Sequence, residues 1–221
     1  MIRTLITIIC LIFFSCTRSI EKTEEKYPSG KVKIIGIYEN DTLIANKKKL
    51  IKFYESGNKK SECPIVNEKN DGNFRCYFES GNISQEGRYI NGLIDGEVLY
   101  YYDNKSKKIK CSMLFIKGKN VRQTIFYENG QKEIELSFKE KSQFDTYTQW
   151  YENGNLKLKT NDCWNGFQTE WYSNKIKKAE GKFKGGGKFG KWIYYDSTGK
   201  ISDSVFYKSS TNSVILTRKN K

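Results

Sequence analysis

The chain has 221 residues, with 39 Lys and Arg against 25 Asp and Glu, a formal net charge of +14, and no histidine. The missing imidazoles exclude the common nucleophilic triads and His-based acid–base pairs. There is no CxxC motif either, so neither a metal nor a cofactor is expected.

The Lys residues are spread along the chain and Arg is scarce. That pattern reads as a solvated surface or a match for an acidic partner (anionic lipid, acidic glycan or acidic protein), and not for nucleic acid. Mean hydropathy is −0.70, low for a globular core. The 15 Tyr and 13 Phe supply large side chains for burial instead.

In chain order, Met1-Ile2-Arg3 forms a short basic start and residues 4–15 (TLITIICLIFFS) an apolar run too short to span a bilayer comfortably. Residues 1–15 therefore read as a secretory signal peptide. The run ends in Phe13-Phe14-Ser15-Cys16, which resembles the lipobox of bacterial lipoproteins, with Phe13 in place of the usual Leu and a bulkier Phe14 than is common. The resemblance implies lipidation of Cys16 and an exported chain, lipid-anchored at the outer membrane or cell surface and not left in the cytoplasm. An ordinary cleavage site and a soluble secreted product is the alternative. Residues 16–30 read as the lipidated N-terminus and a polar tether.

A repeated pattern then takes over. An aromatic pair, two small or polar residues and a Gly recur as Phe53-Tyr54-Glu55-Ser56-Gly57, Tyr77-Phe78-Glu79-Ser80-Gly81, Phe126-Tyr127-Glu128-Asn129-Gly130 and Trp150-Tyr151-Glu152-Asn153-Gly154. Weaker copies end at Lys105, Lys175 and Gly199, so the Gly position steps by 24, 24, 25, 24, 21 and 24 residues. A fixed period of this size marks a repeat array.

Within one period, residues 72–78 and 83–89 read as strands around a Gly turn, and residues 91–96 as a longer connection. The fold class is therefore all-β, an elongated twisted antiparallel sheet of stacked hairpins over residues 31–208, with a polar tail at 209–221. Seven hairpins give about fourteen strands and a length of roughly 65–70 Å.

Side chains alternate between the faces of a strand, so the aromatic pairs form two ladders. Phe53, Tyr77, Tyr101, Phe126, Trp150, Trp171 and Tyr195 line one face. Tyr54, Phe78, Tyr102, Tyr127, Tyr151 and Tyr172 line the other and are the expected partner-binding residues, Tyr and Trp being the usual hot-spot residues. The alternative is that both ladders only hold the sheet together. Glu55, Glu79, Glu128 and Glu152 recur at one position and read as turn residues, not as a catalytic carboxylate pair, so no enzyme is expected. Cys63 and Cys76 flank the Asn70-Asp71-Gly72 connection, where a disulfide and free half-buried thiols both stay open.

The stretch Tyr89-Ile90-Asn91-Gly92-Leu93-Ile94-Asp95-Gly96-Glu97-Val98-Leu99-Tyr100-Tyr101-Tyr102 resembles the MORN-repeat variant family. Phe183 to Tyr195 and Gly166 to Tyr172 resemble it as well. The resemblance covers residues 50–207, with an earlier degenerate copy at Tyr27-Pro28-Ser29-Gly30. It departs at Lys105 and Lys175, where the turn Gly is lost, and at Val121 and Asp145, where the connection Gly is lost.

This family implies stacked antiparallel hairpins. Many bacterial members are similar to the YwqK-type antitoxin family, which implies neutralisation of a toxin by direct binding, and eukaryotic relatives imply membrane association. Three functions stand open: a monomeric envelope scaffold binding an unknown protein or glycan, an antitoxin or immunity protein, and a membrane-surface module binding anionic lipid.

Overall fold

The computed structural model describes residues 19–39, 47–138, 144–162, 164–208 and 214–215. The expected signal, Cys16 and Cys163 lie outside the described residues. So do residues 209–213 and 216–221 of the expected tail.

Short runs rich in aromatic and β-branched residues, punctuated every ten or so positions by Gly, Asn or Asp, favour strands over helices. Strands β1 (Ser19–Lys26), β2 (Val32–Glu39), β3 (Lys47–Phe53), β4 (Lys59–Val66), β5 (Lys69–Asn70), β6 (Gly72–Tyr77) and β7 (Ile83–Ile90) come first. Next come β8 (Leu93–Ile94), β9 (Gly96–Tyr101), β10 (Ile109–Ile116), β11 (Lys119–Phe126), β12 (Lys132–Phe138) and β13 (Phe144–Trp150). The last are β14 (Leu156–Thr160), β15 (Phe167–Trp171), β16 (Lys177–Lys184), β17 (Gly187–Tyr195), β18 (Ile201–Tyr207) and β19 (Val214–Ile215).

All belong to one antiparallel sheet in which each row pairs with the next in chain order. β5 and β6 make one row broken at Asp71, and β8 and β9 one row broken at Asp95. The ribbon is thus about 75–80 Å long at the usual strand spacing.

The two long edges of the ribbon differ. On the tight edge, three-residue loops carry a left-handed residue at their third position: the Tyr54 N–H donates to Asn58 O and the Gly57 N–H to Tyr54 O, each near 2.9 Å. On the wide edge several connections are two-residue loops with positive φ at both positions, such as Asn91-Gly92 (50°, 85°) and Lys117-Gly118 (49°, 79°). After each tight turn one residue of the returning strand is bulged out of register, Lys60 between Lys59 and Ser61 being typical. Such bulges increase the right-handed twist.

Several expectations need correction. Residues 19–26 are no tether: β1 pairs along its length with β2. Its sequence SIEKTEEK is charged and almost wholly exposed, as suits an edge strand that must not recruit another chain. Within the expected tail, β19 pairs with Phe206 and Tyr207.

The turn after Tyr102 is two residues longer than its counterparts, since the Tyr102 N–H reaches Lys108 O. Lys107, not Lys105, therefore takes the left-handed position, at φ 50°. Lys175 keeps the ordinary three-residue turn with φ 73°. Val121, lacking the freedom of Gly72 or Gly96, lets β11 run unbroken.

Alternation gives the sheet an apolar face and a polar ladder face. Phe74, Val98, Trp192 and Val205 are buried on the apolar face, with Val98 and Trp192 at 0% exposure. Gly87 sits where a Cβ would lie 2.9 Å from both Phe74 and Val98, so its missing side chain lets them close over the strand. Gly181 leaves the corresponding space for the Trp192 ring.

Candidate functional site

The six residues expected to bind a partner lie along the tight edge, all half-buried. In five of them the phenol is engaged within the protein. Tyr54 Oη donates to Tyr77 O at 2.8 Å, Tyr127 to Trp150 O at 2.8 Å, Tyr151 to Trp171 O at 2.9 Å and Tyr172 to Tyr195 O at 2.9 Å. Tyr102 reaches Phe126 O at 3.5 Å, and Phe78 occupies the same position without a hydroxyl. Tyr27, ahead of the expected array, makes the same bond to Phe53 O.

Each ring thus ties its turn to the next repeat. Burial pushes the Tyr54 and Tyr127 phenols up, so they stay protonated donors. The bulged lysines cap the outer faces of these rings: Lys60 over Tyr54 at 5.3 Å, Lys110 over Tyr102, Lys157 over Tyr151 and Lys178 over Tyr172.

The ladder face carries a second repeating arrangement, five residues after the left-handed turn position. Glu62, Glu86, Glu135 and Glu180 occupy it in four units. Glu62 accepts from Tyr77 Oη at 2.6 Å and is ion-paired with Lys49 at 2.6 Å and Lys59 at 3.3 Å. Burial pushes its carboxyl up, but the hydrogen bonds from Lys49, Tyr77 and Lys59 outweigh this and hold it down to about 2. Burial and the bond to Glu62 push Tyr77 up to about 12. Tyr101 and Glu86 repeat the pattern with Arg75, and Tyr195 and Glu180 with Lys177.

One cleft interrupts this regularity, an open hollow of about 530 Å³ on the ladder face lined by Trp150, Trp171, Lys159, Lys175, Glu135 and Thr148, among others. Glu135, Thr148 and Lys159 are register neighbours on β12, β13 and β14. Trp150 and Trp171, both half-buried, stand two strands apart on β13 and β15, about 10 Å at the usual spacing.

Lys132 lies 5.5 Å from the Trp150 ring centre and pairs with Glu135 at 2.7 Å. Lys159 stands at the position held by Glu in four other units. Neither it nor Lys175 forms an ion pair among the described residues. Reading the ladders as uniform hides this cleft; the signals that reveal it are the two adjacent Trp and the lost Gly at 175.

Cys63 and Cys76 are free, half-buried thiols on the apolar face. Of the two alternatives, the thiols stay free, because register places Ser61, not Cys63, opposite Cys76. Burial, with Cys76 nearby, pushes the Cys63 thiol up to about 11, and burial raises Cys76 as well. Among the described residues no group of three or more Cys, Asp or Glu side chains is placed to hold a metal ion.

Residues 70–91, 119–140 and 146–161 match the MORN repeat variant model. No curated protein sequence matches the chain. A crystal structure of a protein of unknown function from Bacteroides fragilis NCTC 9343 is 9% identical, covering 87% of this chain and 94% of that one. The TM-score between the two is 0.16.

Proposed function

We propose that this chain is a non-enzymatic scaffold of the bacterial cell envelope, anchored by acylation of Cys16, which binds a protein or glycan through the Lys-rich aromatic ladder face. The supporting observation is that the tight-edge tyrosines spend their phenols on internal bonds, while the ladder face leaves Trp150, Trp171 and the exposed Lys159 and Lys175 around one open hollow. The binding surface is therefore assigned to the ladder face and not to Tyr54, Phe78, Tyr102, Tyr127, Tyr151 and Tyr172.

Mass spectrometry of the mature chain from a bacterial host tests the anchor: the reading expects an acylated Cys16 at the N-terminus and release from membranes in Cys16→Ser. An unmodified mature chain, or unchanged fractionation of the variant, contradicts it.

A second reading, membrane-surface binding, is favoured by the wide edge. Val66, Ile90, Leu93 and Ile116 are 51%, 38%, 52% and 53% exposed beside its turns. β1 starts on that edge, with Ser19 opposite Glu39. Two residues lie between Cys16 and Ser19, so acyl chains there would lie within about 10 Å of the sheet. Sedimentation of the unacylated domain with anionic phosphatidylglycerol vesicles tests it. Binding that persists at low salt and weakens in Val66→Ser/Ile90→Ser/Ile116→Ser supports this reading, and absence of binding removes it.

A further inference from the structure

We propose that the cleft between Trp150 and Trp171 binds an extended acidic oligosaccharide; the inference rests on the scaffold reading above and names its ligand class. Four departures from the repeat converge on this one place. The ladder position carries Trp in two adjacent units, 150 and 171, where the other five units carry Phe or Tyr. The carboxylate position carries Lys159. The left-handed turn position carries Lys175 at φ 73° within an ordinary three-residue turn, where six turns use Gly and the lengthened turn uses Lys107. A side chain there is strained, and nothing in the turn's own hydrogen bonds requires a lysine. All four line the same hollow.

The chemistry fits a sugar chain. An indole offers a broad apolar plate on which the C–H face of a pyranose stacks, with its hydroxyls left at the ring edge for polar partners. Two plates about 10 Å apart, the span of two strands, match alternate sugars of an extended chain. Thr148, Asn155 and Glu135 supply donors and acceptors along the floor.

The charge decides the class. Glu135 is neutralised by Lys132 at 2.7 Å, which leaves the unpaired Lys159 and Lys175 to face a ligand. Both are exposed on the cleft rim, so a uronate or sulfate group meets them without displacing an existing ion pair. Uronates and sulfates share this anionic chemistry, and the probes below separate them.

The test is a tryptophan-fluorescence titration of the folded chain with a heparin-derived hexasaccharide, an oligogalacturonate hexamer and cellohexaose. Saturable quenching by one or both acidic hexamers is expected, weakening several-fold between 50 and 200 mM salt by ordinary screening. In Trp150→Phe/Trp171→Phe affinity is expected to fall at least about tenfold by isothermal calorimetry, consistent with the usual weight of Trp at binding sites. Phe already serves this position at 53 and 126, so the double variant keeps the ladder.

Lys159→Gln is expected to lose several-fold in affinity for the acidic hexamers. Tyr54→Phe, on the tight edge, is expected to bind as the parent does. No saturable binding, binding of cellohexaose alone, or unchanged affinity in the double Trp variant overturns the proposal. If the acidic hexamers fail while Cys16 is found acylated, this inference falls and the envelope anchor stands. If they bind a chain whose Cys16 is unmodified, the cleft assignment stands and the anchor falls.

Discussion

The unit between Tyr77 and Tyr101 and the unit between Trp150 and Trp171 hold equivalent places in the ribbon but differ in what they leave unsatisfied. In the first, Tyr77 is bonded to Glu62 and Tyr101 to Glu86, while Arg75 is paired with Glu86. In the second, the indoles have no phenol to give, so Glu135 turns to Lys132 and Thr124. Lys159 replaces the next carboxylate, and Lys175 sits in a backbone conformation better suited to Gly. Residues that obey the repeat are consumed in holding it. Those that depart from it are free to do something else.

Opening the buried apolar face should have the largest effect. Trp192 is fully enclosed at the C-terminal end of the apolar face, with the Phe183 and Tyr207 rings set edge-on to it. Trp192→Ala should cost about 3–5 kcal/mol, read as a lower urea midpoint. A loss below about 1 kcal/mol would show that the end unit carries little of the cooperativity.

Acid and alkali should then attack the regular unit first. The Glu62 pKa is lowered from 4.5 to about 2, so its contribution is present above about 4.5 and lost as pH falls toward 2. Tyr77 and Tyr101 are raised from 10 to about 12, so their contribution is intact below 10 and lost as pH climbs toward 12. Thermal melts should fall in both windows. Glu62→Gln should flatten the acid limb, and an unchanged limb would remove Glu62 from the account.

The tight-edge rivets act one at a time. Tyr151→Phe deletes only the bond to Trp171 O and should cost about 0.5–1.5 kcal/mol. Tyr127→Phe should cost a similar amount and add to it, the two bonds being in different repeats. Larger losses would mean the phenols do more than link neighbours.

The smallest expected change has the opposite sign. Lys175→Gly relieves the left-handed strain and should raise stability by roughly 0.5–1 kcal/mol. A destabilised variant would mean Lys175 is held there by the fold.

Much of this architecture was legible in advance, because a period of about 24 with a Gly turn leaves few alternatives to stacked hairpins. β1 was not legible: SIEKTEEK has no apolar alternation, and it becomes a strand because β2 needs a neighbour and an edge strand tolerates charge on both faces. The left-handed residue of the turn after Tyr102 was hidden by three lysines in a six-residue stretch, since a two-residue insertion does not announce which of them bends back.

Ring positions in the second ladder were readable. Their role was not, because composition cannot say that Tyr151 Oη meets a carbonyl 20 residues on. The cleft needed the register that lines up Glu135, Thr148 and Lys159.

The most direct test of the idea that departures from the repeat carry the function is the dissociation constant of Lys175→Gly for the acidic hexasaccharide, measured beside the parent chain. Restoring the Gly is predicted to weaken binding several-fold although the fold gains stability. Equal or tighter binding by the glycine variant would contradict it.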